Sequence, residues 1–425
     1  MFLMLSGGMD LNRVILHADA NAFYASVECL YNPEIRSDPV AVAGDVENRH
    51  GIILAKNEQA KRRGVRTGDA IWQAREKCPG LVCLAPDYPL YMRFSRDMRR
   101  IFSDYSDRIE SFGLDECWID LTGKGVDMAA GERAANEIRL RVKRELGITI
   151  SVGVSFNKIF AKLGSDLKKP DAVTVIPQER YRDIVWNLPA FELLYVGSAT
   201  RRKLEKLNVR SIGDLARCDT RALRWSLGKV GLMLKAFANG GDVTPVMPAD
   251  ASAAIKSVGN STTPPHDIRT REDAKCIYFV LAQSVAARLR EQGLKARRVG
   301  ISARTTDLLM TTRQCTLARP TQITDEILRA AMGLFEANYD AHYPYRSVGL
   351  SCSLLTAADT PVQLDLLGEE ERRLKAEKLE HALDGLRDRY GHQIVRRGIE
   401  LADERYAQVN PREEHLIHPG QFYTG

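Results

Sequence analysis

Two segments, HADANAFYASVE (His17 to Glu28) and ESFGLDECWIDLTG (Glu110 to Gly123), constrain this chain more than anything else in it. In the first, the apolar run Val14-Ile15-Leu16 reads as a strand that delivers Asp19 to its end. The aromatic pair Phe23-Tyr24 then opens a helix. In the second, Asp115 and Glu116 stand inside a strand-like stretch flanked by Leu114, Cys117, Trp118 and Ile119. Three carboxylates at strand ends in apolar surroundings are costly unless something neutralises them. A divalent metal does so, and hard oxygen donors select Mg²⁺ or Mn²⁺. A single acid of this kind more often caps a helix; two such segments together argue for metal.

Around these segments, from residue 12 to about 189, strand and helix patterns alternate. RVILHAD, PVAVAG and GIILAKN read as strands, and Ala22 to Tyr31, Pro89 to Tyr105 and Met128 to Leu146 as helices. ITISVGVS (Ile148 to Ser155) alternates and closes the sheet, and a helix follows from Lys158. The expectation is an α+β layer, a mixed sheet with helices on one face. Residues 43–78 form a basic insertion of short helical pattern. Val196 to Ala216 places one glycine turn before a helix and a second, Ile-Gly-Asp-Leu, before another. That pattern resembles a helix-hairpin-helix, whose glycine turns aim backbone N–H groups at phosphate. LGKVG (Leu227 to Gly231) echoes it. Residues 242–254 read as a linker, and 255–356 carry the order β-α-β-β-α-β of a ferredoxin-like module. In the tail, 357–425, Leu374, Leu379, Leu383, Leu386 and Tyr390 mark the apolar face of a charged helix.

A net charge of +6 is a weak signal, but its placement is stronger. Gly197 to Lys235 holds ten Lys/Arg against three acids, and Ala251 to Pro320 twelve against five. Two basic modules after a metal site suit a polyphosphate ligand. The eight cysteines form no CxxC pair, which argues against a zinc site or a disulfide framework and for a reducing compartment. The opening MFLMLSGG lacks the basic and apolar parts of a signal peptide, and the folded pattern begins only near Asn12, after a second methionine at Met9. A cytoplasmic protein without a membrane span is expected.

The two acidic segments resemble the palm motifs of the Y-family, or translesion, DNA polymerases of the DinB and UmuC type, and the likeness extends from about Val14 to Leu367. It implies a right-hand polymerase: palm and fingers over 12–189 with fingers near 43–78, a helical thumb over 190–241, and a little finger over 255–356. It implies error-prone extension of a primer 3′-OH by dNTPs with two Mg²⁺ ions, for which Mn²⁺ can substitute. No segment resembles a proofreading exonuclease. By the same likeness Asp19 and Asp115 bind both metals with the carbonyl of Ala20, and Glu116 holds the ion at the primer terminus. Tyr24 matches the steric gate against a ribose 2′-OH, beside Phe23 in the nucleotide pocket; otherwise it is a core aromatic. Lys169 matches the lysine that reaches the triphosphate, and Lys162, seven residues before it, is read onto the same helical face. Lys61 occupies a phosphate-gripping position where DinB relatives carry Arg, and Glu58 stands where they carry Tyr; Lys61 reads equally as a solvated lysine. Gly113 replaces a frequent Ser. Arg201, Arg202, Lys203 and Lys206 would face DNA.

Gln363, Leu364, Leu366 and Leu367 resemble the Gln-Leu-x-Leu-Phe peptide by which bacterial polymerases dock on the sliding clamp, the beta subunit. The plain alternative is packing of the tail. Primer-template DNA, dNTPs and the clamp are thus the expected partners of a monomeric enzyme. A non-catalytic DNA tether would not need three metal carboxylates, and a nucleotide cyclase would not need two basic modules.

Overall fold

The computed structural model describes residues 13–44, 51–123, 125–251, 254–340, 343–361 and 369–401. Its internal contacts divide the chain into two compact units between residues 252 and 253, inside the expected linker.

In the first unit, β1 (Ile15–Ala20) leads into α1 (Phe23–Tyr31). Then come β2 (Val40–Ala43), β3 (Ile53–Lys56), α2 (Glu58–Arg62), α3 (Ile71–Lys77) and β4 (Val82–Leu84). The central part continues with α4 (Tyr88–Ser103), β5 (Ile109–Ser111), β6 (Glu116–Asp120), α5 (Met128–Leu146), β7 (Ile150–Ser155), α6 (Lys158–Leu167) and β8 (Val173–Ile176). The main sheet has the order β5-β6-β1-β7-β8, with β1 antiparallel to both neighbours and β8 parallel to β7. The edge strand is therefore β8 rather than the ITISVGVS segment.

Every residue of β1 and β7 is buried, so both faces of this sheet need cover. Leu16, Ala18, Val152 and Val154 pack with Ile138 and Val142 of α5 and Met98 of α4. The opposite face carries Ile15 and Trp118 against Ala161 of α6. Helices thus lie on both faces, not one as the sequence suggested. Every residue of β1 is covered, the polar His17 and Asp19 included. Two cross-links fix α6 to β6: Trp118 Nε1 donates to the Lys158 carbonyl at 2.9 Å, and the Lys158 ammonium lies 4.5 Å above the Trp118 ring.

β2 and β3 do not join the main sheet. With β4 they form a separate three-stranded sheet, order β3-β2-β4, packed on α2 and α3 around Ala41, Ile53, Ala60, Val65, Ile71 and Ala74. The 43–78 insertion is therefore a small module with its own core, spanning Val40 to Leu84. The helical region that follows comprises α7 (Tyr181–Val185), α8 (Ser198–Lys206), α9 (Ile212–Arg217), α10 (Thr220–Leu227) and α11 (Lys229–Ala238). Ile-Gly-Asp-Leu is not a turn but the first turn of α9, because Ser211 and Asp214 form a capping box that starts the helix there.

The expected linker begins as a packed strap. Val246 is buried with Ile15 and Trp118, the Met247 N–H donates to Glu110 Oε2 at 3.0 Å, and Asp242 Oδ2 accepts the Lys158 N–H at 3.2 Å. Its prolines read as linker chemistry, but Val246 packs on the sheet and Asp242 on the start of α6.

The second unit contains β9 (Ser257–Thr262), α12 (Arg271–Glu291), β10 (Leu294–Thr305), β11 (Met310–Thr321), α13 (Thr324–Asn338) and β12 (Tyr345–Ala357), the order read from the sequence. The antiparallel sheet runs β11-β10-β12-β9, with α12 and α13 packed on it around Tyr278, Val299, Ile301, Phe335 and Leu350. Last comes α14 (Glu369–Tyr390), which docks differently from the expectation. Leu374, Leu379, Leu386 and Tyr390 are exposed, while Glu370, Glu380 and Arg387 are buried. The reason is the cations it meets. Arg290, 1 % exposed, engages Glu380 at 3.2 Å and Asp384 at 2.5 Å, and Lys295 engages Glu377 at 2.9 Å. Arg373 of α14 in turn pairs with Glu326 of α13 at 2.8 Å. Buried cations require partners more strictly than leucines require cover.

Candidate active site

The end of β1 meets the start of β6. The antiparallel register sets Asp19 directly across from Glu116, and the Ala20 N–H donates to the Asp115 carbonyl at 3.0 Å. Asp115 itself precedes β6, on a bend rather than within the strand. Gly113 makes that bend with φ +95°, a conformation that an L side chain adopts only under strain. Serine there would carry a backbone cost, which accounts for this departure in physical terms.

Charge is concentrated here. Burial, then the carboxylates of Asp19 and Glu116, push the Asp115 carboxyl up to about 7. Two lysines answer the acids. Lys162 Nζ lies 2.7 Å from Asp19 Oδ2, 2.9 Å from Glu116 Oε2 and 3.2 Å from Asp166 Oδ2. Lys169 Nζ lies 2.7 Å from Asp19 Oδ1 and 2.8 Å from Asp166 Oδ1. Burial alone would lower the Lys162 ammonium, but Asp19, Glu116 and Asp166 override it and hold its pKa above the ordinary value. The two lysines do not share a helical face. α6 stops at Leu167, because the residue before a proline is excluded from helical geometry, and Lys169 precedes Pro170. They converge on Asp19 from helix and loop.

His17 stands two residues before Asp19, on the same face of β1. Its Nδ1 lies 3.0 Å from Ser165 Oγ, and its Nε2 faces Glu116 Oε2 at 3.3 Å. Burial, with the Lys162 ammonium beside it, pushes the imidazole down to about 3, so the ring is neutral. The sequence reading found no metal set among the histidines. The structure brings His17, Asp19 and Glu116 together with donor atoms within 4.8 Å of one another. Among the described residues, His17 Nε2 and Glu116 Oε2 are buried without a hydrogen-bond partner. An orphaned buried nitrogen on His17, clustered carboxylates and an ammonium bridging two of them are what a divalent cation site offers. The residues fit such an ion. Asp166 was missed as well, though its spacing of four from Lys162 on a helix was a usable signal.

Beside the acids an aromatic wall begins. Phe23 is buried, and the Tyr24 ring stacks on Tyr91 at 4.2 Å and 11°. Tyr91 is fully buried and its hydroxyl donates to Glu28 Oε1 at 2.5 Å. Tyr24 is thus half-buried against a fixed backing. Lys61 lies apart from the acidic cluster in the contacts it makes: it is 55 % exposed and pairs with Glu58 at 3.3 Å. Arg201, Arg202, Lys203 and Lys206 all project from α8 into solvent, with Arg201 held by Glu205 at 2.8 Å and lying 4.5 Å over the Phe191 ring. Gln363, Leu364, Leu366 and Leu367 lie outside the described residues. No helix among the described residues is long and apolar enough to cross a membrane.

Comparison with known proteins agrees with this arrangement. Residues 18–166 match the model of the impB/mucB/samB family, and residues 255–366 match the model of that family's C-terminal domain. The chain is 48 % identical over 393 residues to DNA polymerase IV of Acetivibrio thermocellus, covering 92 % of this chain and 98 % of that one. It is 37 % identical over 394 residues to DNA polymerase IV 1 of Bacillus subtilis, covering 92 % and 94 %. Among solved structures, a Y-family DNA polymerase chimera superposes with a TM-score of 0.73 at 23 % identity, over 81 % of this chain and 99 % of that one. With a carboxylate cluster at the joint of two antiparallel strands, a matching fold and relatives along almost its whole length, the chain belongs to the impB/mucB/samB family of Y-family translesion DNA polymerases.

Proposed function

We propose that Asp19, Asp115 and Glu116, with the carbonyl of Ala20, hold two Mg²⁺ ions, or Mn²⁺ in their place, and that this cluster is the centre of primer extension. The observation that carries the reading is the register of β1 on β6, which sets Asp19 against Glu116 with Asp115 one residue away. Metal bound there would supply charge stabilisation to the attacking 3′-OH and the departing pyrophosphate. The chain's own residues do the rest. Lys169, already beside Asp19, is positioned to take a triphosphate oxygen, and the low exposure of the acids keeps water from weakening these interactions. Lys61, turned to Glu58, offers a point charge where a guanidinium would offer a fork, so nucleotide is held more weakly from that side. Arg201, Arg202, Lys203 and Lys206 contact the duplex backbone, in a monomeric cytoplasmic enzyme. Primer extension on undamaged template with Mg²⁺, and its loss on chelation, is the direct test. No extension at any Mg²⁺ or Mn²⁺ concentration would refute the assignment.

Phe23 and Tyr24 form the wall against the sugar. Tyr24→Ala is expected to raise the ratio of rNTP to dNTP kcat/KM on the order of 10²-fold, the scale of discrimination a pocket wall supplies. An unchanged ratio would return Tyr24 to a packing role with Tyr91.

Gln363, Leu364, Leu366 and Leu367 dock the enzyme on the sliding clamp, with leucines as apolar anchors and Gln363 hydrogen-bonding at the rim. The double variant Gln363→Ala/Leu366→Ala is expected to lower clamp affinity at least about ten-fold and to remove clamp-stimulated extension, leaving clamp-free extension intact. Equal clamp binding by a folded variant would assign the segment to packing.

A further inference from the structure

We infer that Lys162 is an exchangeable internal cation: it holds the place of a divalent ion between Asp19 and Glu116, and yields it by withdrawing onto Asp166. This rests on the metal-site reading of the acidic cluster given above.

Lys162 touches one oxygen of each acid that faces the other across the strand pair, Asp19 Oδ2 at 2.7 Å and Glu116 Oε2 at 2.9 Å. A dication bound to those oxygens and an ammonium already there would lie within a few ångströms of each other. Their repulsion is large at any protein dielectric, so the two exclude each other. The ammonium has somewhere to go. Asp166 lies one helical turn further along α6, and its Oδ2 is already 3.2 Å from Lys162 Nζ. Asp166 is also the more exposed acid, 37 % against 6 % for Asp19 and 20 % for Glu116. Withdrawal therefore takes a short swing of a four-carbon stem and leaves the ammonium paired with Asp166.

The arrangement explains why metal-free acids can sit this close. Lys162 and Lys169 neutralise Asp19 from its two oxygens, and Asp166 anchors both lysines. Lys162 is thus a positioning residue: it keeps Asp19 and Glu116 in place until an ion arrives.

A lysine that merely props the acids and a lysine that competes with metal predict opposite signs. Removing a prop leaves metal affinity unchanged or weaker; removing a competitor makes it tighter. The measurement is Mn²⁺ binding to the full-length protein without DNA or nucleotide, read from the electron paramagnetic resonance of free Mn²⁺. K162M and K162Q are expected to bind Mn²⁺ roughly ten-fold more tightly than wild type. D166N, which removes the place of retreat, is expected to bind it several-fold more weakly. In the K162M background the D166N change should have little further effect, a coupling that a double-mutant cycle isolates. Melting curves in chelator supply the second readout: K162M melts lower than wild type and regains more on adding Mn²⁺. If K162M fails to fold, K162Q, which keeps a donor toward the acids, decides the sign. Unchanged or weaker Mn²⁺ binding in the folded lysine variants, with wild type binding normally, overturns this inference alone. A wild type that binds no Mn²⁺ overturns the metal-site reading, and this inference with it.

Discussion

Replacing Asp115 or Glu116 by alanine is expected to lower nucleotide incorporation on the order of 10³-fold or more, while primer-template affinity changes by less than roughly two-fold. The separation follows from where the charges lie. The acids are clustered at the joint of β1 and β6, whereas the basic residues proposed to meet phosphate project from α8. Single-turnover extension measures the first quantity and fluorescence anisotropy of labelled primer-template the second. Extension near the wild-type rate by either variant would remove these residues from the chemistry. Stability should move the other way. Burial and two like charges disfavour the Asp115 carboxylate, so Asp115→Asn in chelator should melt above wild type, as expected where a functional cluster stores repulsion.

Gly153→Ala is expected to cost about 3 kcal/mol or more of folding free energy, or to yield no folded protein. Gly153 lies in β7 on the face covered by α6. A Cβ there would stand 1.9 Å from the Ala161 carbonyl oxygen and 2.5 Å from the Ser165 nitrogen. Both atoms are backbone, so no rotamer change relieves the clash and α6 must lift away. Lys162, Ser165 and Asp166 would lift with it. The contrasting substitution is Gly333→Ala in α13, where a Cβ meets nothing within 4 Å. An exposed helix interior there should gain about 0.8 kcal/mol. Urea denaturation of both variants settles the comparison. Equal midpoints for Gly153→Ala and wild type would mean that α6 and β7 do not approach this closely.

The helices and strands of the first unit were legible because apolar runs and helical spacing were long and well bounded, as in Met128–Leu146. The acidic cluster was legible because acids inside apolar strands have few uses. Three things were not. Cover on the second face of the main sheet depended on α6 packing at Gly153, a contact that periodicity does not encode. Lys169 was read onto a helix that Pro170 ends, a local rule outweighed by a seven-residue spacing. The leucines of α14 suggested an apolar face, but Arg290 and Lys295, far away in sequence, selected the acidic one. The first and the last are tertiary context deciding between local options; the second is a local rule overridden by spacing.

The charge-matched seat of α14 has a consequence for how this end of the molecule can come apart. A helix seated on leucines bares a sticky surface whenever it lifts, and transient openings of that kind seed aggregation. Here the groups bared by lifting would be Arg290, Lys295, Glu377, Glu380 and Asp384, all of which water solvates well. Partial opening of α14 therefore bares charge that water can take up at once, which favours its reversal over capture by another chain.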